Sequence, residues 1–119
     1  DNLIIYGHNI NSGKMFGALE QYKDKNFFNR HRKIYFTTGR RREYEVFAVM
    51  SVNIKELEYW KFVMARDEKD YDEFVEKVLE HSLWNTGGKP QYGEQMLMLS
   101  TCDNGKGDDW RFVVVGKEI

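Results

Sequence analysis

The strongest constraint on this chain is its division into short runs of β-branched and aromatic residues separated by Gly-, Asn- and Asp-rich stretches. Leu3 to Gly7, Lys33 to Thr38, Glu43 to Val52, Gln95 to Thr101 and Arg111 to Val115 each have the length and composition of a strand. Asn9 to Gly13, Asn85 to Pro90 and the 103–109 segment read as turns or loops, and Gly39-Arg40-Arg41-Arg42 reads as a basic hairpin loop. A chain punctuated in this way folds as a mostly β domain with a few helices packed on its strands.

Two segments carry helical periodicity. From Lys14 onward, Met15, Phe16, Leu19 and Tyr22 line one face, and a short turn through Phe27 and Phe28 follows. Tyr71, Phe74, Val75, Val78 and Leu79 form a clearer stripe, with Glu76, Lys77 and Glu80 on the wet side. Asp70 and Glu73 have the spacing of a capping box, which predicts a helix from Asp70 to about Leu83. Leu57 to Met64 suits either an irregular strand or a helical turn. No repeat, linker or low-complexity tract interrupts the 119 residues. Asp1 leads at once into the first apolar run, so further strands are expected upstream to pair with it.

Charge narrows the function classes. Lys and Arg number 18 against 19 Asp and Glu, which leaves no net field of the kind that marks a nucleic-acid binder. The apolar runs fall well short of the roughly 20 residues a membrane-spanning helix needs. A single cysteine excludes an internal disulfide and the clustered thiolates of a Cys-rich zinc site, and nothing in the pattern calls for a metal or cofactor.

Cys102 stands where a strand stops and a polar, Gly-rich loop starts, a position that favours a reactive thiol over an inert core residue. Alternation along the last strand puts Arg111, Val113 and Val115 on one face and Phe112 and Val114 on the other. A hairpin closed by the loop returns Arg111 to Cys102. A guanidinium there lowers the thiol pKa and donates to a developing oxyanion. His8, at the end of the first strand, is the candidate acid for a leaving amine. His31 follows a helical turn and His81 lies near the C-terminal end of the capped helix, where a partly positive imidazole suits the macrodipole. Both therefore have structural explanations.

Leu99-Ser100-Thr101-Cys102, with Arg111 in Trp110-Arg111-Phe112-Val113-Val114 nine positions on, resembles the signature of the sortases, and Tyr6-Gly7-His8-Asn9 resembles their histidine motif. The Met15 to Phe28 segment and the Asp70 to Leu83 helix are similar to those of class B members. Met98 departs from the threonine that opens the family signature. The resemblance implies a sortase-type eight-stranded β-barrel, of which residues 1–119 would be a partial catalytic domain lacking the N-terminal strands. It implies a cysteine transpeptidase in which Cys102 attacks the sorting signal of a secreted protein and forms a thioacyl intermediate. His8 would protonate the leaving amine, and Arg111 would stabilise the oxyanion. The acyl group would pass to an amine of a peptidoglycan precursor or cross-bridge. The enzyme would stand at the outer face of a Gram-positive cell membrane, anchored by a segment absent here. By the same resemblance Ser100, Thr101 and Asp103 border the substrate groove, and Tyr92 is expected beside it from its position ahead of the catalytic strand; the plainer readings of the first three are strand residues and a solvated loop acid. Two alternatives stand beside it: another Cys/His acyl-transfer enzyme, and a non-enzymatic β-rich surface module. A papain-like order is disfavoured because the histidine precedes the cysteine here.

Overall fold

A computed structural model describes residues 2–6, 21–38, 40–57, 66–84, 86–102 and 109–119. The described elements are β1 (Asn2–Tyr6), α1 (Lys25–Arg30), β2 (Lys33–Thr38), β3 (Arg40–Asn53), α2 (Glu68–His81), β4 (Met96–Cys102) and β5 (Trp110–Glu118). The strands form one five-stranded sheet in the order β1-β4-β5-β3-β2. All neighbours are antiparallel except β1 and β4, which run parallel. The mostly β character expected from the sequence holds. The described strands leave β1 and β2 as sheet edges, and they do not themselves close a barrel.

Alternation sorts the sheet's side chains into two cores. On one face Ala48, Met50, Val52, Met96, Met98, Val113 and Val115 pack with Leu57 and the stripe Tyr71, Phe74, Val75 and Val78 of α2. On the other, Val46, Val49, Phe112 and Val114 pack with Tyr22 and Phe28. A strand buried on both faces must be apolar at successive positions, which is why 112–115 is a continuous apolar run. Gly116 continues that strand with no side chain because a Cβ there would come within 3.1 Å of the Tyr44 Cβ.

Three details differ from the sequence reading. The basic stretch expected as a hairpin loop is the start of β3, where Arg40, Arg41 and Arg42 pair with Thr38, Thr37 and Phe36. Charged residues suit a strand next to the sheet edge, where one face meets water. The helix begins at Glu68, with Asp67 as its cap. Asp67 Oδ1 accepts the Asp70 N–H at 2.9 Å, and Asp70 Oδ2 accepts the Arg66 N–H at 3.1 Å. That backbone donor, then the Arg66 charge, holds the Asp70 carboxyl below its ordinary pKa. The helix ends at His81, not near Leu83, because Ser82 turns extended and bonds to β3. The helix expected from Lys14 and the ambiguous Leu57 to Met64 stretch fall mostly outside the described residues, although Tyr22 and Leu57 are both buried.

Strand β3 is long enough to serve two neighbours. Its first part, 40–45, pairs with β2. Beyond that, the same edge is filled by the segment after α2. The Leu83 N–H reaches the Val49 carbonyl at 2.7 Å, the Ser82 hydroxyl accepts the Val49 N–H at 3.2 Å, and the Thr86 hydroxyl donates to the Phe47 carbonyl at 2.5 Å. Backbone groups that β2 cannot reach are satisfied in this way.

Candidate active site

Strands β4 and β5 form the antiparallel pair predicted from the sequence, and their register places Cys102 directly opposite Arg111. Directly paired residues share a face, with Cβ atoms about 4.5–5.5 Å apart. On the far side of β5, Arg111 pairs with Val52 of β3, so Val52, Arg111 and Cys102 form one row across three strands. Val113 and Val115, two and four residues on, belong to the α2-side core, as the alternation requires. Arg111 is half-buried, and its Nη1 donates to the Trp110 carbonyl at 3.0 Å.

Ser100 and Thr101, the residues leading to Cys102, are both wholly buried. Ser100 pairs with Val113 on one side and, in parallel, with Tyr6 on the other. Thr101 pairs with Phe112, and its hydroxyl finds no hydrogen-bond partner among the described residues. Thus β1 runs alongside β4 toward its Cys102 end. His8 and Asp103 lie outside the described residues.

Tyr92 is not brought to this end of the sheet. It precedes β4, and its ring packs edge-on against Tyr71 of α2, centroids 5.7 Å apart. From Met96 to Cys102 the strand covers about 20 Å at roughly 3.3 Å per residue. The other histidines sit elsewhere: His31 stacks on Phe27 at 4.0 Å, and His81 Nδ1 lies 2.8 Å from the Lys77 carbonyl. The hollow along the outer side of α2, lined by Glu68, Lys69, Asp72, Glu73, Glu76 and Lys77 among others, contains none of the candidate residues. Among the described residues no cluster of His, Cys, Asp or Glu could hold a metal ion, and no helix is long and apolar enough to cross a membrane.

A strand-borne cysteine paired with an arginine at the end of a hairpin agrees with what comparison with known proteins returns, for a sortase domain model matches residues 1–119. The chain belongs to the sortase family. Sortase B of Listeria monocytogenes serovar 1/2a is 32% identical over 120 residues, covering 99% of this chain and 48% of that protein. The X-ray structure of Clostridium perfringens sortase B superposes with a TM-score of 0.86 at 30% identity, covering 99% of this chain and 65% of that one. A Staphylococcus aureus sortase B–substrate complex superposes with a TM-score of 0.86 at 27% identity, covering 99% and 55%. These relatives are class B sortases, so the family expected from the cysteine–arginine and histidine motifs holds, and so does the class expected from the Met15 to Phe28 segment and the helix after Asp70. The chain spans about half the length of the curated relatives it matches.

One neighbour of the site escaped the sequence reading. The strand was expected to stop at Val52, yet Asn53 still pairs, opposite Trp110 and next to Arg111. An asparagine followed by Ile54-Lys55-Glu56 was the available signal, since Asn closes turns with its own side chain.

Proposed function

We propose that this chain carries the catalytic site of a sortase transpeptidase, with Cys102 as nucleophile, His8 as acid and base, and Arg111 as the cation that serves both thiolate and oxyanion. The direct pairing of Cys102 with Arg111 at the end of the β4–β5 hairpin is the observation that carries this reading. Chain length supports the place of the histidine. β1 ends with Tyr6 paired to Ser100, and two further residues cannot carry the His8 Cα more than about 7 Å beyond Tyr6.

The chemistry follows from these roles. The Cys102 thiolate attacks the carbonyl carbon of the scissile peptide bond in a sorting signal, and the electron pair moves onto oxygen, where the Arg111 guanidinium donates to it. As the oxyanion collapses, the C–N bond breaks and His8 gives its proton to the leaving nitrogen, which leaves a thioester on Cys102. An amine of a cell-wall peptide then attacks the thioester and loses a proton to His8; the sulfur departs as thiolate, and a new amide joins protein to wall. Ser100 and Thr101 form the buried support behind the nucleophile, and Asp103 follows it at the groove. The enzyme works at the outer face of a Gram-positive cell membrane, held there by a segment beyond this chain.

The test uses the intact protein, a sorting-signal peptide and an acceptor amine. The parent enzyme should gain the mass of the acyl fragment and release it to the amine, whereas Cys102→Ala should show no adduct. Arg111→Lys, which keeps charge but loses the forked donor geometry, should lower turnover by about 100-fold or more. An adduct on Cys102→Ala, or near-normal turnover in Arg111→Lys, would refute these assignments. A parent enzyme that never acylates would favour the surface-module alternative.

A further inference from the structure

We propose that Asn53, at the end of β3, is a positioning residue for Arg111; the proposal rests on the thiol–guanidinium reading above. Beyond the row Val52, Arg111 and Cys102, the next residue of β3 does more than pair. Asn53 Oδ1 accepts the Lys55 N–H at 2.9 Å, and its carbonyl accepts the N–H groups of Glu56 at 2.9 Å and Leu57 at 3.3 Å. The chain is thereby turned through 54–57, and Leu57 is tucked into the α2-side core.

This turn holds the start of β5. The Ile54 N–H donates to the Asp109 carbonyl at 2.8 Å, and Asn53 itself pairs with Trp110. Lys55 Nζ adds an ion pair to Asp109 Oδ2 at 3.2 Å, but the two side chains are 76% and 47% exposed, so that pair contributes little. The grip comes from the backbone bond and the Asn53 side chain. It closes on Asp109 and Trp110, the two residues before Arg111, from the strand opposite the one that carries Cys102.

The chemical consequence concerns precision of placement. β4 fixes the cysteine and β5 fixes the arginine, so any slippage at the start of β5 moves the guanidinium relative to the sulfur. A misplacement of about 1 Å at a reacting group can cost on the order of 100-fold in rate. Asparagine suits position 53 because a short side-chain carbonyl can accept the N–H two residues on, which alanine cannot do and serine does more weakly.

The test measures the electrostatic environment of the sulfur in the intact protein by alkylating Cys102 with anionic iodoacetate and neutral iodoacetamide. The ratio of the two rates reports local positive charge, and it cancels changes in thiolate fraction or folded population that affect both reagents alike. Arg111→Gln should lower the ratio about threefold to tenfold. Asn53→Ala should lower it by about twofold or more, and Asn53→Ser should restore most of the parent value. Should Asn53→Ala fail to fold, Asn53→Gln, one methylene too long for the turn, carries the same expectation. A ratio held at the parent value in the Asn53 variants while Arg111→Gln lowers it would overturn the proposal and leave the proposed function standing. A ratio that Arg111→Gln does not move would overturn the guanidinium–thiol pairing itself.

Discussion

Replacing Ser82 with alanine should destabilise the protein far more than loss of a half-buried hydroxyl normally does. Val49 is wholly buried, and its N–H has the Ser82 hydroxyl as acceptor at 3.2 Å. The same hydroxyl lies 2.9 Å from the Trp84 carbonyl, its better-placed acceptor. Alanine keeps the neighbouring backbone bond from Leu83 to the Val49 carbonyl, so the segment stays docked and water stays out. The Val49 N–H is then left buried without a partner, which costs about 1–3 kcal/mol, a 5- to 150-fold change in the folding equilibrium. For comparison, Thr86→Val removes a donor to the Phe47 carbonyl, and an under-satisfied carbonyl is the milder defect. Urea unfolding of the intact protein should show the midpoint of Ser82→Ala falling by roughly 1 M at an m-value near 2 kcal/mol/M, with the slope unchanged and a smaller fall for Thr86→Val. A loss under about 0.5 kcal/mol for Ser82→Ala would show that the Val49 N–H finds another partner and would refute the reasoning.

Two further outcomes are expected. Asp67→Ala should cost about 1 kcal/mol because it removes the α2 cap, and Glu73→Ala almost nothing; circular dichroism melts showing the reverse would return the cap to Asp70. Burial, with the nearby Glu94 and Asp72 charges, pushes the Tyr71 hydroxyl up to about 12, while the unfolded value is 10.0. The folded state therefore holds this proton more tightly, and its contribution to stability is complete below pH 10 and is lost as pH rises toward 12. Tyr71→Phe, which also loses the 2.7 Å bond to the Glu94 carbonyl, should flatten that alkaline fall in a denaturation series.

The parts of the fold legible in the sequence are those set by local pattern. Alternation along 111–115 gave the correct faces, and a hairpin across the 103–109 loop gave the Cys102–Arg111 pairing, because both depend only on strand period and nearest-neighbour connection. The helix cap was misplaced by three residues because Asp67, Asp70 and Glu73 repeat the same capping spacing, and only the hydrogen bonds tell which acid is the cap. Arg40 to Arg42 looked like a turn because charge beside a glycine usually marks one, yet an edge-adjacent strand tolerates the charge. The parallel partnership of β1 with β4 and the hydroxyl seam from Ser82 to Thr86 left no local signature, since each joins segments far apart in the chain. For the same reason the turn at Asn53 could be read as a turn but not as a neighbour of Arg111.

That parallel partnership bears on how the protein is born. Asn2 meets Met96, ninety-four positions later, so ribosomal synthesis delivers one member of the pair long before the other exists. Loop closure over such a separation is slow, and it waits for β5 and β3 to offer a template. A nascent chain is therefore expected to hold β1 apart from β4 until β5 has been made, which delays completion of the sheet until its central strands are in place.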